Sequence, residues 1–166
     1  MFSNRPRIKI PLTLTDKIVE VLGALFVWAS WSIVNANYSS LPDVIPIHFD
    51  ASGTADGFGD KSNIFALPVV STVVFIALTI LNRFPHLFNY PAGLTLENAR
   101  TQYSIATSMI RFLKLSVAIV FAMTVYFAVQ NAKGETDGLG SWFLPTVLAL
   151  IFLPIVYFFY KSAKNS

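Results

Sequence analysis

Four apolar runs, each long enough to cross a lipid bilayer, constrain this chain more than any other feature of it. They cover approximately residues 18–36, 64–81, 113–129 and 142–160. At 1.5 Å rise per helical residue the first run extends roughly 28 Å, about the depth of the hydrocarbon core. The predicted fold class is therefore an all-α integral membrane protein. It has four transmembrane helices in one membrane domain over residues 1–166, with a compact extracytoplasmic loop between helices 1 and 2. Composition agrees, since 54% of the residues are hydrophobic and 13% charged, whereas soluble domains carry about 25% charged residues. There is no cysteine, which excludes a disulfide framework, a thiolate metal site and a cysteine nucleophile.

The charged residues flank the runs. Ten of the 12 Lys and Arg residues fall in the N-terminal tail, in the second connector with its helix boundary, and at the C-terminus. The first and third connectors hold only Lys61 and Lys133. By the positive-inside rule both termini face the cytoplasm and the first connector faces outward. The +3 net charge is thus spread along membrane boundaries and forms no basic patch with exposed aromatics, so nucleic acid is not an expected partner. Residues 1–17, with Arg5, Arg7, Lys9, Lys17, Pro6 and Pro11, read as a disordered tail against anionic headgroups. The first run is too long for a leader's apolar core and reads as a retained signal-anchor helix.

Within the spans, Glu20 is expected to pair with Lys17 at the interface. Trp28 and Trp31 read as packing or interface residues. Pro68 lies near the outer end of the second run, and Asn82, Arg83 and Pro85 mark its exit. The segment from Phe84 to Thr101 contains Pro91 and Gly93, after which Thr95 is the expected N-cap of a helix with Glu97 at its positive end. That helix is expected to continue through Tyr103 and Ile110, surface-lying at first, into the third run. Arg111 and Lys114 read as anchors whose stems snorkel to the headgroups. The fourth run carries Pro145 and Pro154, and Lys161 and Lys164 follow. The middle parts of the spans show neither a charged pair nor paired broken helices, which disfavours a transporter.

The first connector, Leu41 to Lys61, reads LPDVIPIHFDASGTADGFGDK. Pro46 fixes its own φ and drives Ile45 toward extended geometry, so the middle is expected to be a short extended piece. Alternation along it places His48 and Asp50 on one face and Ile47 and Phe49 on the other. The Gly and Asp-Gly steps beyond let the chain turn back toward the membrane.

This run of Pro, Asp, His, Gly and Lys resembles the signature of the bacterial domain-of-unknown-function 1648 family. It is also similar to the N-terminal part of Sdp-type toxin-immunity membrane proteins. The matching positions are Pro42, Asp43, Pro46, His48, Gly53, Asp56, Gly57 and Lys61. Where the family usually has Asn after His-Phe, this chain has Asp50. The resemblance implies a multi-helix protein of the bacterial cytoplasmic (inner) membrane with an extracytoplasmic motif loop, and it assigns no reaction and no cofactor.

Chemistry at the loop is sparse. His48 with Asp43, Asp50, Asp56 or Asp60 gathers at most two or three oxygen and nitrogen ligands, and no repeated metal-ligand spacing accompanies them. No catalytic residue is therefore assigned. Lys61 is expected to pair with Asp56 or Asp60 at the outer end of the second helix. The expected function is non-enzymatic sensing or immunity-type binding of an extracellular peptide or lipid by the loop. The alternative is an interfacial enzyme or lipid-handling protein in which His48 is the base and a neighbouring carboxylate orients it. The bilayer is the constant partner, and so few helices leave room for a homo-oligomer.

Overall fold

The computed structural model describes residues 5–90 and 94–165. Pro91 and Gly93, in the connector between the second and third runs, lie outside them. Four long helices are joined by three connectors: α1 (Leu14–Asn37), α2 (Ala66–Leu81), α3 (Ala99–Ala132) and α4 (Phe143–Lys164). All four are long and apolar enough to cross a membrane, α2 doing so together with the 3-10 turn that precedes it. The first connector is more than a loop. It forms an antiparallel hairpin of β1 (Val44–Phe49) and β2 (Ala55–Asp60), a small sheet absent from the all-α expectation.

Helix α1 starts four residues before its apolar run because Thr13 and Asp16 form a capping box. Thr13 Oγ1 accepts the Asp16 amide at 3.1 Å and Asp16 Oδ2 accepts the Thr13 amide at 2.9 Å. Two orphan donors of the helix start are thereby satisfied. Pro68 occupies the third position of α2 and is buried; its missing N–H falls among the donors that lack an intrahelical partner anyway.

Helix α3 has 34 residues and is about 51 Å long, well beyond the hydrocarbon depth. Its N-cap is Asn98 and not Thr95, which instead closes the turn just ahead: Thr95 Oγ1 accepts the Asn98 amide at 3.2 Å and Asn98 Oδ1 accepts the Thr95 amide at 2.9 Å. The regular helix begins one turn later, at Ala99. Its first turns do not lie on a surface. Gln102 and Tyr103 are fully buried, and Gln102 Nε2 donates to the Ser162 and Asn165 carbonyls at 3.1 Å, clamping the end of α4. α3 packs against each of the other three helices, whereas α4 rests mainly on α3.

The core joins α1, the hairpin, the 3-10 turn over Lys61–Phe65 and α3 through Val34, Leu41, Ile45, Ile64, Val125 and Val129. The hairpin and the third connector share one end of the bundle, where the Leu139 amide donates to the Gly53 carbonyl at 2.7 Å. Both chain ends and the second connector share the other end. There the described part of the tail is pinned, not disordered: the Arg5 guanidinium donates to the His86 and Phe88 carbonyls at 3.2 and 2.6 Å.

Candidate functional site

The hairpin carries Pro46, His48, Asp50, Gly53, Asp56 and Gly57 of the expected motif, with Pro42 and Asp43 just before it and Lys61 just after it, and its geometry follows from their types. Asp50 shapes the turn. Its Oδ1 accepts the Ser52 amide at 2.8 Å, the Ser52 hydroxyl at 2.6 Å and the Thr54 amide at 2.9 Å. These bonds, the Ser52 hydroxyl foremost and the Thr54 amide next, hold the Asp50 carboxyl below its usual range. An asparagine carbonyl oxygen accepts the same three bonds, so Asp50 keeps the turn chemistry of the residue expected there.

Gly53 turns the chain with φ +85°, and a Cβ there would lie 2.7 Å from the Gly140 carbonyl oxygen. Gly57 faces His48 in the register, where a Cβ would lie 2.9 Å from that of His48. The register is irregular between Pro46 and His48 and again between His48 and Phe49. A bulge shifts side chains out of simple alternation, and Ile45 and Pro46 are both buried while Ile47 and His48 are both exposed.

The bulge decides the partners of His48. It pairs with Asp56 across the hairpin, Nδ1 to Oδ1 at 2.5 Å, and both side chains are largely solvent-exposed. Asp50, the expected neighbour on its face, is occupied within its own turn. Lys61 also differs from expectation: its Nζ donates to Asp43 at 2.9 Å, and its backbone amide to the Asp43 carbonyl at 3.0 Å, closing the base of the hairpin. Asp60 caps the 3-10 turn through the Ser62 amide at 2.8 Å. The Ser62 hydroxyl, followed by that amide, keeps the Asp60 carboxyl below its usual range. Pro42 is exposed ahead of β1. The loop carboxylates thus serve separate local bonds, and no group of three or more metal-ligating side chains gathers among the described residues.

Beneath the hairpin lies a cavity of about 380 Å³. Its walls come from β1 (Ile45, Ile47, Phe49), from Leu67 of α2 and from Thr124 of α3, with His48 also at its lining. Leu139 of the third connector contributes as well. Three apolar strand residues, Val44, Ile47 and Phe58, stand half or more exposed on the hairpin. The arrangement offers an apolar recess beside an imidazole–carboxylate pair.

A second polar cluster, unforeseen as such, sits inside the bundle toward the termini. Lys114 of α3 is 1% exposed; its Nζ donates to Glu20 Oε2 at 2.5 Å and to Thr79 Oγ1 at 2.7 Å. Arg111 donates to Asp16 at 3.3 Å, with its Nε 3.5 Å from Glu20. The Ser108 hydroxyl also donates to Asp16, at 3.1 Å. Glu20 therefore pairs across helices and not with Lys17, and Arg111 and Lys114 point into the bundle and not out to headgroups. The physical reason is charge balance: two cations and two carboxylates neutralise one another where water is scarce, which isolated charges there cannot do. The sequence signal was the i, i+3 and i, i+4 spacing of these residues on each helix, which places Asp16 with Glu20 and Arg111 with Lys114 on one face.

Residues 25–72, covering the hairpin-side half of α1, the hairpin and the start of α2, match the family model described as Domain of unknown function (DUF1648). An uncharacterized protein of Archaeoglobus fulgidus is 32% identical over 90 residues, a match covering 49% of each chain. The chain thus spans about half the length of this curated relative. No solved structure matches.

Proposed function

We propose that this multi-pass protein resides in the bacterial cytoplasmic membrane with both termini inside, and that its hairpin is an outward platform that binds an extracellular peptide or lipid without turning it over. The supporting observation is the cavity of about 380 Å³ between hairpin and helix ends, apolar in its walls and rimmed by His48. Such a recess accepts an apolar side chain or chain end, while the exposed Ile47 and Phe58 extend the contact outside it. Orientation rests on charge: the end with the termini has ten cations against three carboxylates, and the hairpin end two against six. Self-association of so small a bundle belongs to the same reading.

A second reading, an interfacial enzyme or lipid-handling protein, is favoured by the His48–Asp56 pair at 2.5 Å, since a carboxylate-oriented imidazole is a competent general base. One experiment separates them. Cells making the protein, or its Leu67→Trp form with a filled recess, are challenged with a panel of membrane-active peptides while their radiolabelled lipids are followed. The binding reading expects protection against a peptide that L67W loses at equal membrane abundance. Lipid turnover by the wild type that His48→Ala abolishes, with no protection, overturns it in favour of the enzyme.

A further inference from the structure

The seam between α3 and α4 holds two cavities that meet end to end. The first, about 570 Å³, is walled by apolar side chains, among them Leu115 and Ile119 of α3 and Ala149 and Leu150 of α4. The second, about 530 Å³, is lined by Thr15, Ser104 and Lys161 together with Asp16 and Ser108. Phe112, Leu153 and Pro154 border both. Polarity therefore changes along a single groove, from hydrocarbon-like at its hairpin-side part to a mixed lining with hydroxyls, Asp16 and Lys161 at its termini-side part.

We propose that this groove binds one phospholipid lengthwise, with its phosphate at Lys161 and the Thr15 and Ser104 hydroxyls and an acyl chain against Leu115, Ile119 and Leu150. Dimensions agree. The eleven helical steps from Leu150 to Lys161 correspond to roughly 16 Å of helix, about half the hydrocarbon depth and so the length of one leaflet's chain. Charge agrees as well. Asp16 is already committed to Thr13, Ser108 and Arg111, so the carboxylate in the polar part is neutralised within the protein. Lys161 has no ion pair among the described residues. Pro154, inside α4, cannot donate to the carbonyl four residues earlier. The phosphate end of the groove is at the opposite end of the bundle from the hairpin, and the site does not depend on what the hairpin binds.

The test uses the full chain extracted in mild detergent and examined by native mass spectrometry for copurifying and added lipid. The wild type is expected to retain one phospholipid and to prefer phosphatidylglycerol over phosphatidylcholine. Ala149→Trp, which fills the apolar part, should lose it, whereas Leu148→Trp, a matched change outside the groove, should keep it. Lys161→Gln should lose the preference between headgroups. Equal retention by A149W, or equal binding of the two lipids by the wild type, overturns the proposal. Displacement by chainless glycerol phosphate also overturns it, because the ligand would then be a soluble phosphate. Should A149W not fold, phosphatidylglycerol with a photoreactive acyl chain is applied to the wild type. Crosslinks at Leu115, Ile119 or Leu150 support the site, and crosslinks confined to other residues sink it.

Discussion

Lys114 Nζ and Glu20 Oε2 face each other at 2.5 Å between α3 and α1, within an ionic cluster that also holds Asp16 and Arg111. Removing Lys114 leaves Glu20 with only the longer Arg111 contact and unbalances the charges of the cluster. Lys114→Met is therefore expected to destabilise the bundle by roughly 3 kcal/mol, the lower range for breaking a buried pair. Combining it with Glu20→Gln should recover most of that loss. Thermal unfolding in detergent reads both, and a single variant as stable as the wild type would remove the cluster from the forces holding the helices together.

Gly53 and Gly134 separate two costs of a side chain. Both have positive φ, +85° and +74°, but a Cβ at Gly134 meets nothing within 4 Å whereas one at Gly53 meets the Gly140 backbone. Gly134→Ala should cost only the left-handed backbone penalty, about 1–2 kcal/mol. Gly53→Ala should cost more and expose the Leu139 amide, whose acceptor is the Gly53 carbonyl. Faster hydrogen exchange at Leu139 in the second variant alone is the expected result.

The turn at Asp50 should respond to acid. Its carboxyl titrates below the usual 3.8 in the folded state because the charged form accepts bonds from Ser52 and Thr54. That contribution is complete above 3.8 and is lost as pH falls through the lowered folded value. Asp50→Asn, which retains an acceptor oxygen but no titration, should keep the turn and flatten its acid response. The Ser52 and Thr54 amide chemical shifts between neutral pH and strong acid measure this; a wild-type response unchanged in D50N would assign the transition to another group.

Within β1, neighbouring positions should behave oppositely. Ile45 is fully buried in the core cluster, so Ile45→Ala is expected to cost roughly 2–5 kcal/mol. His48 is 70% exposed, and His48→Ala should change stability by no more than about 0.5 kcal/mol. Chemical or thermal unfolding compares the two. A strongly destabilised H48A would make the His48–Asp56 pair a structural element, and its use as a probe of ligand binding would end.

Much was legible in the chain itself. The apolar runs at residues 18–36, 64–81, 113–129 and 142–160 match the four helices to within two residues at their starts, apart from the extra turns of α1 and α3, because hydrophobicity and helix length are local properties. The glycine and aspartate steps of the first connector announced a turn for the same reason. Strand pairing was less legible: the two hairpin strands are short, and the bulge around His48 breaks the alternation that would have revealed them. Helix ends moved where a cap lies outside the apolar run, as Thr13 does for α1.

What the sequence determined by itself was the number of membrane-length helices and the separation of charge between the two ends of the bundle, both set by the solvent each residue tolerates. Only the tertiary structure decided partners. His48 meets Asp56 and not Asp50, Glu20 meets Lys114 and not Lys17, Lys61 meets Asp43, and Gly53 meets a connector more than eighty residues away. A charge or hydrogen-bonding group near a membrane must find some partner, but which one depends on how helices far apart in the chain pack, and residue types alone do not encode that choice locally.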